Sequence, residues 1–166
     1  MLKRCAVVAM LLAVVACSES GPVEPPASPS EEVTVNTSDA GLYPALETYV
    51  EDRIGEFAEI EEERRALLKS ISAFVAERAD AGEPVKLTFI CTHNSRRSHM
   101  SQLWAAASAR LNGIHLESYS GGTEDTAFNP RAVAAMRRAG WHIEQTTTSS
   151  NPIYHASLAA GVPAYT

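Results

Sequence analysis

Apolar positions at three- and four-residue spacing open the foldable part of the chain. Leu42, Leu46, Tyr49, Val50, Ile54 and Phe57 trace one face of an amphipathic helix. Ile60, Leu67, Leu68, Ile71, Phe74 and Val75 trace a second, which Gly82 and Pro84 stop. At the start of this second helix Glu61, Glu62 and Glu63 precede Arg64 and Arg65, an order that suits the helix dipole and reads as a solvated helix face. The period then changes. Val85 to Ile90 is a short apolar run rich in branched and aromatic residues, the pattern of a buried strand. A compact polar stretch, Cys91 to Ser98, leads into Met100, Leu103, Trp104, Ala107 and Leu111, one face of a third helix that ends near Asn112-Gly113. Ile114 to Ser120 predicts a second strand and Gly121-Gly122 a turn. Asn129 and Pro130 suit the cap and first residue of a helix through Ala132, Val133, Ala135, Met136 and Ala139, closed by Gly140. Trp141 to Gln145 reads as extended, and 151–166 has room for one further extended piece.

Strand, loop, helix, strand, loop, helix is a βαβα alternation, which predicts an α/β domain with a parallel sheet and right-handed crossovers. Ligands of such sheets bind at the carboxyl ends of the strands, where the Cys91 loop falls.

The first residues carry a different pattern. Lys3 and Arg4 precede an apolar stretch from Cys5 to Ala16, short of the ~18 residues of a membrane span but suited to a signal peptide. Val14-Val15-Ala16-Cys17-Ser18 resembles the lipobox of bacterial lipoproteins, with an ordinary secretory signal as the plainer reading. The resemblance implies cleavage before Cys17, lipidation of Cys17 and export as a membrane-anchored lipoprotein. Ser18 after the anchor implies the periplasmic face of the outer membrane in a Gram-negative bacterium. Residues 17–40 hold Pro22, Pro25, Pro26 and Pro29 and no aromatic residue, so they read as a disordered tether. The expected division is thus a signal peptide at 1–16, a tether at 17–40 and a domain at 41–166, split into a helical extension (41–84) and a core (85–166).

Composition narrows the functional classes. The 166 residues are about one domain. A net charge of −6 argues against a nonspecific nucleic-acid binder, which needs cations to offset phosphate repulsion. There is neither a Gly-x-Gly-x-x-Gly nor a Walker-type Gly-Lys-Ser/Thr, so nucleotide binding has no support. Three cysteines do not make a disulfide scaffold, and the expected processing removes Cys5 and lipidates Cys17, leaving Cys91 as the one free thiol.

Cys91-x5-Arg97-Ser98 between strand and helix carries the chemistry. Five intervening residues, Thr92, His93, Asn94, Ser95 and Arg96, suffice to wrap a backbone around one tetrahedral oxyanion. Inward-pointing N–H groups and the helix N-terminus make such a loop an anion cradle. Arg97 offers a two-pronged donor for two oxyanion oxygens. The same field favours a thiolate at Cys91, poised for in-line attack, and Ser98 is placed to donate to it when it leaves. Asn94 tolerates the left-handed conformation that a tight loop needs. His93 and His99 flank Cys91 but suit a cation, whereas an inward-pointing nest suits an anion, so no metal and no cofactor are expected.

The residues 85–98 resemble the start of the low-molecular-weight protein tyrosine phosphatases. A second block, Ser120-Gly121-Gly122-Thr123-Glu124-Asp125 followed by Asn129-Pro130-Arg131-Ala132-Val133 and Gly140, is similar to those phosphatases and to the thioredoxin-coupled arsenate reductases that share their fold. The resemblance covers about residues 85–145. It implies a Rossmann-like three-layer α/β fold, here incomplete and with an added N-terminal helical segment. It also implies Cys91 as nucleophile, Arg97 as oxyanion clamp, Ser98 as thiolate partner and Thr92, His93, Asn94, Ser95 and Arg96 as the substrate-binding loop. The implied reaction is hydrolysis of a phosphorylated protein or small phosphomonoester through a phosphocysteine. The alternatives are arsenate reduction and a catalytically impaired oxyanion-binding or interaction module. The chain departs from the family at Arg96, where a second cysteine is usual, and at His99, where proline is frequent in the phosphatases. No cysteine follows Cys91, and the family's later acid-bearing loop is not recognisable, so the chain reads as truncated. Asp125 is a turn or cap residue before it is a substitute acid.

Overall fold

The computed structural model describes residues 40–124 and 126–166. The signal segment, Cys17, nearly all of the tether and Asp125 lie outside the described residues. The elements run α1 (Pro44–Ile54), a 3-10 turn (Phe57–Glu59), α2 (Glu62–Asp80), β1 (Val85–Cys91), α3 (Arg97–Leu111), β2 (Leu116–Gly122), α4 (Pro130–Arg138), β3 (His142–Gln145) and β4 (Tyr154–Ser157). The first helix begins at Pro44, whose fixed φ and missing N–H suit a first turn. Phe57, expected on that helix, lies in the 3-10 turn instead.

The α/β expectation holds at the centre. β1 and β2 pair in parallel from Val85↔Leu116 to Cys91↔Gly122, with α3 as the crossover. On β1 the odd positions point one way: Val85, Leu87 and Phe89 pack with Ala105 of α3 and with Ile71, Val75 and Ala79 of α2. The even positions, Lys86, Thr88 and Ile90, are exposed, and a Lys86–Glu117 ion pair of 3.1 Å lies across that face. Among the described residues the helices therefore cover one face of this sheet.

α3 differs from its sequence pattern. One apolar face was expected, yet Ser101 to Ala109 is buried without interruption. The helix sits between two cores. Ala105 faces the sheet, while Leu103, Trp104, Ala106 and Ala107 join Leu46 and Val50 of α1, Val133 and Met136 of α4, Trp141, and Ile143 and Ala156 of β3 and β4. The run of alanines and serines is the signature of this position, since only small side chains let neighbours close in from both sides.

The helices of residues 41–84 pack against the α/β elements. Leu46 and Val50 are completely buried, Tyr49 stacks on Trp104 at 5.4 Å, and the Tyr43 N–H donates to the Leu158 carbonyl at 2.9 Å. Gly140, at φ +98°, allows the contact: a β-carbon there would stand 2.2 Å from the Leu46 nitrogen.

Two sequence boundaries need correction. Gly121 and Gly122 complete β2 and are not a turn. The last extended segments do not extend the parallel sheet: β3 and β4 form an antiparallel pair of their own, from His142↔Ser157 to Gln145↔Tyr154. The connection between them is Thr146 to Ile153, and a parallel crossover needs roughly a dozen residues or more, so this length dictates a hairpin-like return.

Candidate active site

The chain leaves β1 at Cys91 and enters α3 at Arg97, with the polar loop between. Ser98, in the first turn of α3, is almost wholly buried. Its hydroxyl lies 3.2 Å from the Cys91 sulfur and donates to Asn94 Oδ1 at 2.7 Å. One proton serves two acceptors. With a neutral thiol, the S–H can donate to Ser98 while Ser98 donates to Asn94; with a thiolate, the hydroxyl can turn to the sulfur.

Asn94 has φ +43°, the one positive φ of a non-glycine residue among those described. Its short polar side chain makes that conformation tolerable, and the Ser98 contact holds it. The left-handed step turns successive N–H groups towards the sulfur. Burial alone would raise the Cys91 pKa, but the Ser98 hydroxyl and the backbone N–H groups of Ser98, Ser95 and Asn94 outweigh it, lowering the pKa to about 6. The cradle expected from the spacing is therefore present as donors converging on one atom.

What keeps those donors inward is a second segment after β2. The Thr92 carbonyl accepts from the Thr123 and Glu124 N–H groups, both at 2.9 Å, and from the Thr123 hydroxyl at 3.1 Å. The His93 carbonyl accepts from the Thr126 hydroxyl. The Ser95 carbonyl accepts from the Asn129 N–H at 2.7 Å, and the Ser95 hydroxyl donates to the Ala127 carbonyl at 2.6 Å. With the loop's carbonyls drawn outward, the N–H groups of Asn94, Ser95 and Ser98 are left on the side of the sulfur. Gly122 permits this closeness, since a β-carbon there would stand 2.5 Å from the Asn94 nitrogen and 2.8 Å from the Cys91 carbonyl. These pins lie in the second sequence block, but Thr123 and Thr126 carry no signal of their role until the two segments are seen together.

The remaining residues divide clearly. Arg97 and Arg96 are exposed at the start of α3, and both add positive charge there. Thr92 and His93 lie on the exposed rim, where His93 Nδ1 stands 3.2 Å from Glu124 Oε2. The Ser95 side chain turns away from the sulfur, so its contribution to the cradle is its N–H. Cys91 is the one free cysteine among the described residues, and no cluster of three or more His, Cys, Asp or Glu side chains there is placed to hold a metal. No helix among them is long and apolar enough to cross a membrane.

Comparison with known proteins follows this geometry. Residues 86–158 match the family of low molecular weight phosphotyrosine protein phosphatases. The match spans β1 to the end of β4, and the parallel pair with its helices is consistent with that fold. Curated relatives carry a second name. An arsenate reductase of Bacillus licheniformis is 43% identical over 73 residues, 42% of this chain and 50% of that protein. Arsenate reductase 2 of Staphylococcus haemolyticus is 39% identical over 61 residues, 37% of this chain and 44% of that protein. An arsenate reductase of Bacillus subtilis is 40% identical over 60 residues, 36% of this chain and 41% of that protein. The chain spans about half the length of the curated relatives it matches. No solved structure matches it significantly. Family and relatives together support the superfamily that the sequence resembles.

Proposed function

We propose that Cys91 acts as a thiolate nucleophile on a tetrahedral oxyanion held in the loop from Thr92 to Arg97, and that arsenate is the oxyanion the relatives favour. The observation that carries the chemistry is the convergence of the Ser98 hydroxyl and three backbone N–H groups on one sulfur, which favours the thiolate near neutral pH. The name of the relatives carries the choice of substrate.

Attack by the Cys91 thiolate on arsenic forms an S–As bond and releases hydroxide or water. Reduction then needs two electrons from thiols. A first thiol attacks the Cys91 sulfur, the S–As electron pair leaves with arsenic as arsenite, and a mixed disulfide remains. A second thiol returns Cys91 to its reduced form and leaves as the disulfide with the first. Cys91 has no second cysteine beside it among the described residues, and in this reading both thiols are supplied by a low-molecular-weight thiol of the glutathione class.

The second reading is phosphomonoester hydrolysis, favoured by the family description. The same thiolate attacks phosphorus, forming an S–P bond as the ester P–O bond breaks and the alcohol or phenol departs with a proton from solvent; Arg97 clamps the equatorial oxygens, and Ser98 donates to the sulfur as water cleaves the S–P bond and releases phosphate. One experiment separates the readings: arsenite formation with arsenate and glutathione, beside hydrolysis of p-nitrophenyl phosphate, on the wild type and Cys91→Ser. Activity of either kind that survives Cys91→Ser overturns the nucleophile. Hydrolysis without arsenite formation moves the reading to the phosphatase.

A further inference from the structure

In both readings of the reaction an oxygen leaves the central atom as the Cys91 sulfur arrives, and it leaves more easily with a proton than without one. In-line attack puts that oxygen on the side of the oxyanion away from the sulfur, towards the open rim of the loop. From Thr92 to Ser98, histidine is the one residue type suited to giving and regaining a proton near neutral pH; threonine, serine and asparagine hold theirs too tightly, and arginine stays charged. His93 stands two residues beyond Cys91, so their α-carbons are at most about 7 Å apart. Its side chain is more than half exposed on the rim, and its Nδ1 lies 3.2 Å from Glu124 Oε2. Both residues are fixed at their backbones. The Glu124 N–H donates to the Thr92 carbonyl at 2.9 Å, and the His93 carbonyl accepts from the Thr126 hydroxyl.

A carboxylate only accepts, so Nδ1 is the protonated nitrogen facing Glu124, and Nε2 is the nitrogen that exchanges its proton. An imidazole oriented by a carboxylate at its far nitrogen is an arrangement suited to general acid–base work. We propose that His93 gives the leaving oxygen its proton and that Glu124 is the positioning residue for His93. This rests on the oxyanion reaction above and gives the proton a source within the loop. As the S–P bond forms and the ester P–O bond breaks, the Nε2 proton passes to the departing oxygen, which leaves as a neutral alcohol or phenol. His93 is left neutral, with Nδ1–H still on Glu124. Water then attacks phosphorus, one of its protons returns to Nε2, and the S–P electron pair goes back to Cys91 as the thiolate. On arsenate the same proton turns departing hydroxide into water, and the ring regains it from the first attacking thiol, which reacts as a thiolate.

The test reads the dependence on the leaving group, which a structural role would not move. The kcat/KM is measured on p-nitrophenyl phosphate, which has a good leaving group, and on phenyl phosphate, whose phenol has a pKa of about 10, for the wild type, His93→Gln and Glu124→Gln. Alkylation of Cys91 by iodoacetamide, followed against pH, reports whether the loop is intact. His93→Gln is expected to lose about 100-fold on phenyl phosphate and less than about threefold on p-nitrophenyl phosphate. Its alkylation midpoint should stay within about half a pH unit of the wild type. Glu124→Gln should lose about tenfold, on phenyl phosphate only. Equal losses on the two esters, or an undiminished rate on phenyl phosphate, overturn the proposal while the reaction stands. So does a larger loss in Glu124→Gln than in His93→Gln, which would make the carboxylate the acid. If the wild type reduces arsenate and hydrolyses neither ester, arsenite formation decides: it should fall at least about tenfold in His93→Gln with the alkylation midpoint kept. An unchanged rate, or a fall that accompanies a shifted midpoint, overturns the proposal. A wild type with none of these activities refutes the reaction itself, and the role of His93 with it.

Discussion

The Ser98 hydroxyl lies between the Cys91 sulfur, 3.2 Å away, and Asn94 Oδ1, 2.7 Å away, and so joins the proposed nucleophile to the left-handed residue of its loop. Removing it should act on both. In Ser98→Ala the sulfur loses a hydroxyl donor worth about 1.5–3 kcal/mol to a charged acceptor, so its pKa should rise by about one to two units from about 6. Turnover at pH 6.5 should fall about 10- to 100-fold, with partial recovery as pH rises. The pH–rate profile of wild type and variant checks this; parallel profiles with a common midpoint would refute the Ser98 role.

The lowered thiol pKa also fixes the sign of a stability change. Cys91 ionises near 6 in the folded protein and near about 8.5 when unfolded. Its favourable contribution is therefore fully present above about pH 8.5 and is lost as pH falls through about 6. Denaturant melts of wild type and Cys91→Ser should show the wild-type advantage shrinking over that window. An advantage that grew on acidification would contradict the direction of the shift.

The parts of this site that the sequence made legible are those where one pattern fixes one structure. The change from a short branched run to a polar octet and then to helical spacing located β1, the loop and α3, and Cys91-x5-Arg97-Ser98 marked the loop whose donors converge on the sulfur. The misread places are those where two segments meet. Gly121-Gly122 has turn composition, yet it lies in a strand because a glycine is needed under Asn94. The alanines of α3 look like a weak helix face, yet they are small because cores close on both sides. The carbonyl pins from Thr123 and Thr126, and the pairing of His93 with Glu124, leave no periodic trace because their meaning lies in partners about thirty residues away.

Gly122 is where that close meeting should be most sensitive. A Gly122→Ala side chain would need the Asn94 nitrogen, 2.5 Å from the new β-carbon, to move, and this is one of the N–H groups aimed at the sulfur. Because the obstacle is backbone, a rotamer change gives no relief. Phosphate or arsenate binding by calorimetry should weaken at least about tenfold, and the Cys91 alkylation midpoint should rise. Wild-type binding in a folded Gly122→Ala protein would mean that the loop has slack the structure does not show.

Arg96 occupies the place where a second cysteine was expected from the family, and Cys91 is the one cysteine among the described residues. A thiolate with a pKa of about 6 reacts readily with peroxide, and its sulfenic acid finds no neighbouring described thiol to trap it as a disulfide. Peroxide should therefore inactivate the protein in two stages. Brief treatment should be reversible by dithiothreitol, and longer treatment should give the sulfinic and sulfonic acids and permanent loss. Adding glutathione before peroxide should protect, by capping the sulfenic acid as a mixed disulfide. Mass spectrometry of the Cys91 peptide follows each species. Full recovery after prolonged oxidation without added thiol would show that another group shelters the sulfur.

Gly140 separates the fold from the chemistry. Its φ of +98° and the 2.2 Å between its hypothetical β-carbon and the Leu46 nitrogen mean that Gly140→Ala must both strain its own backbone and push α1 outward. The two effects together should cost about 2–4 kcal/mol, lowering the melting temperature by roughly 10 °C. The Cys91 loop is held from β2 and the segment after it, so its contacts do not pass through Gly140. At a temperature where Gly140→Ala remains folded, its alkylation midpoint should equal that of the wild type. A melting temperature within about 2 °C of the wild type would show that α1 yields without cost and is not an integral part of the core. A shifted midpoint would show that the packing of α1 reaches the sulfur.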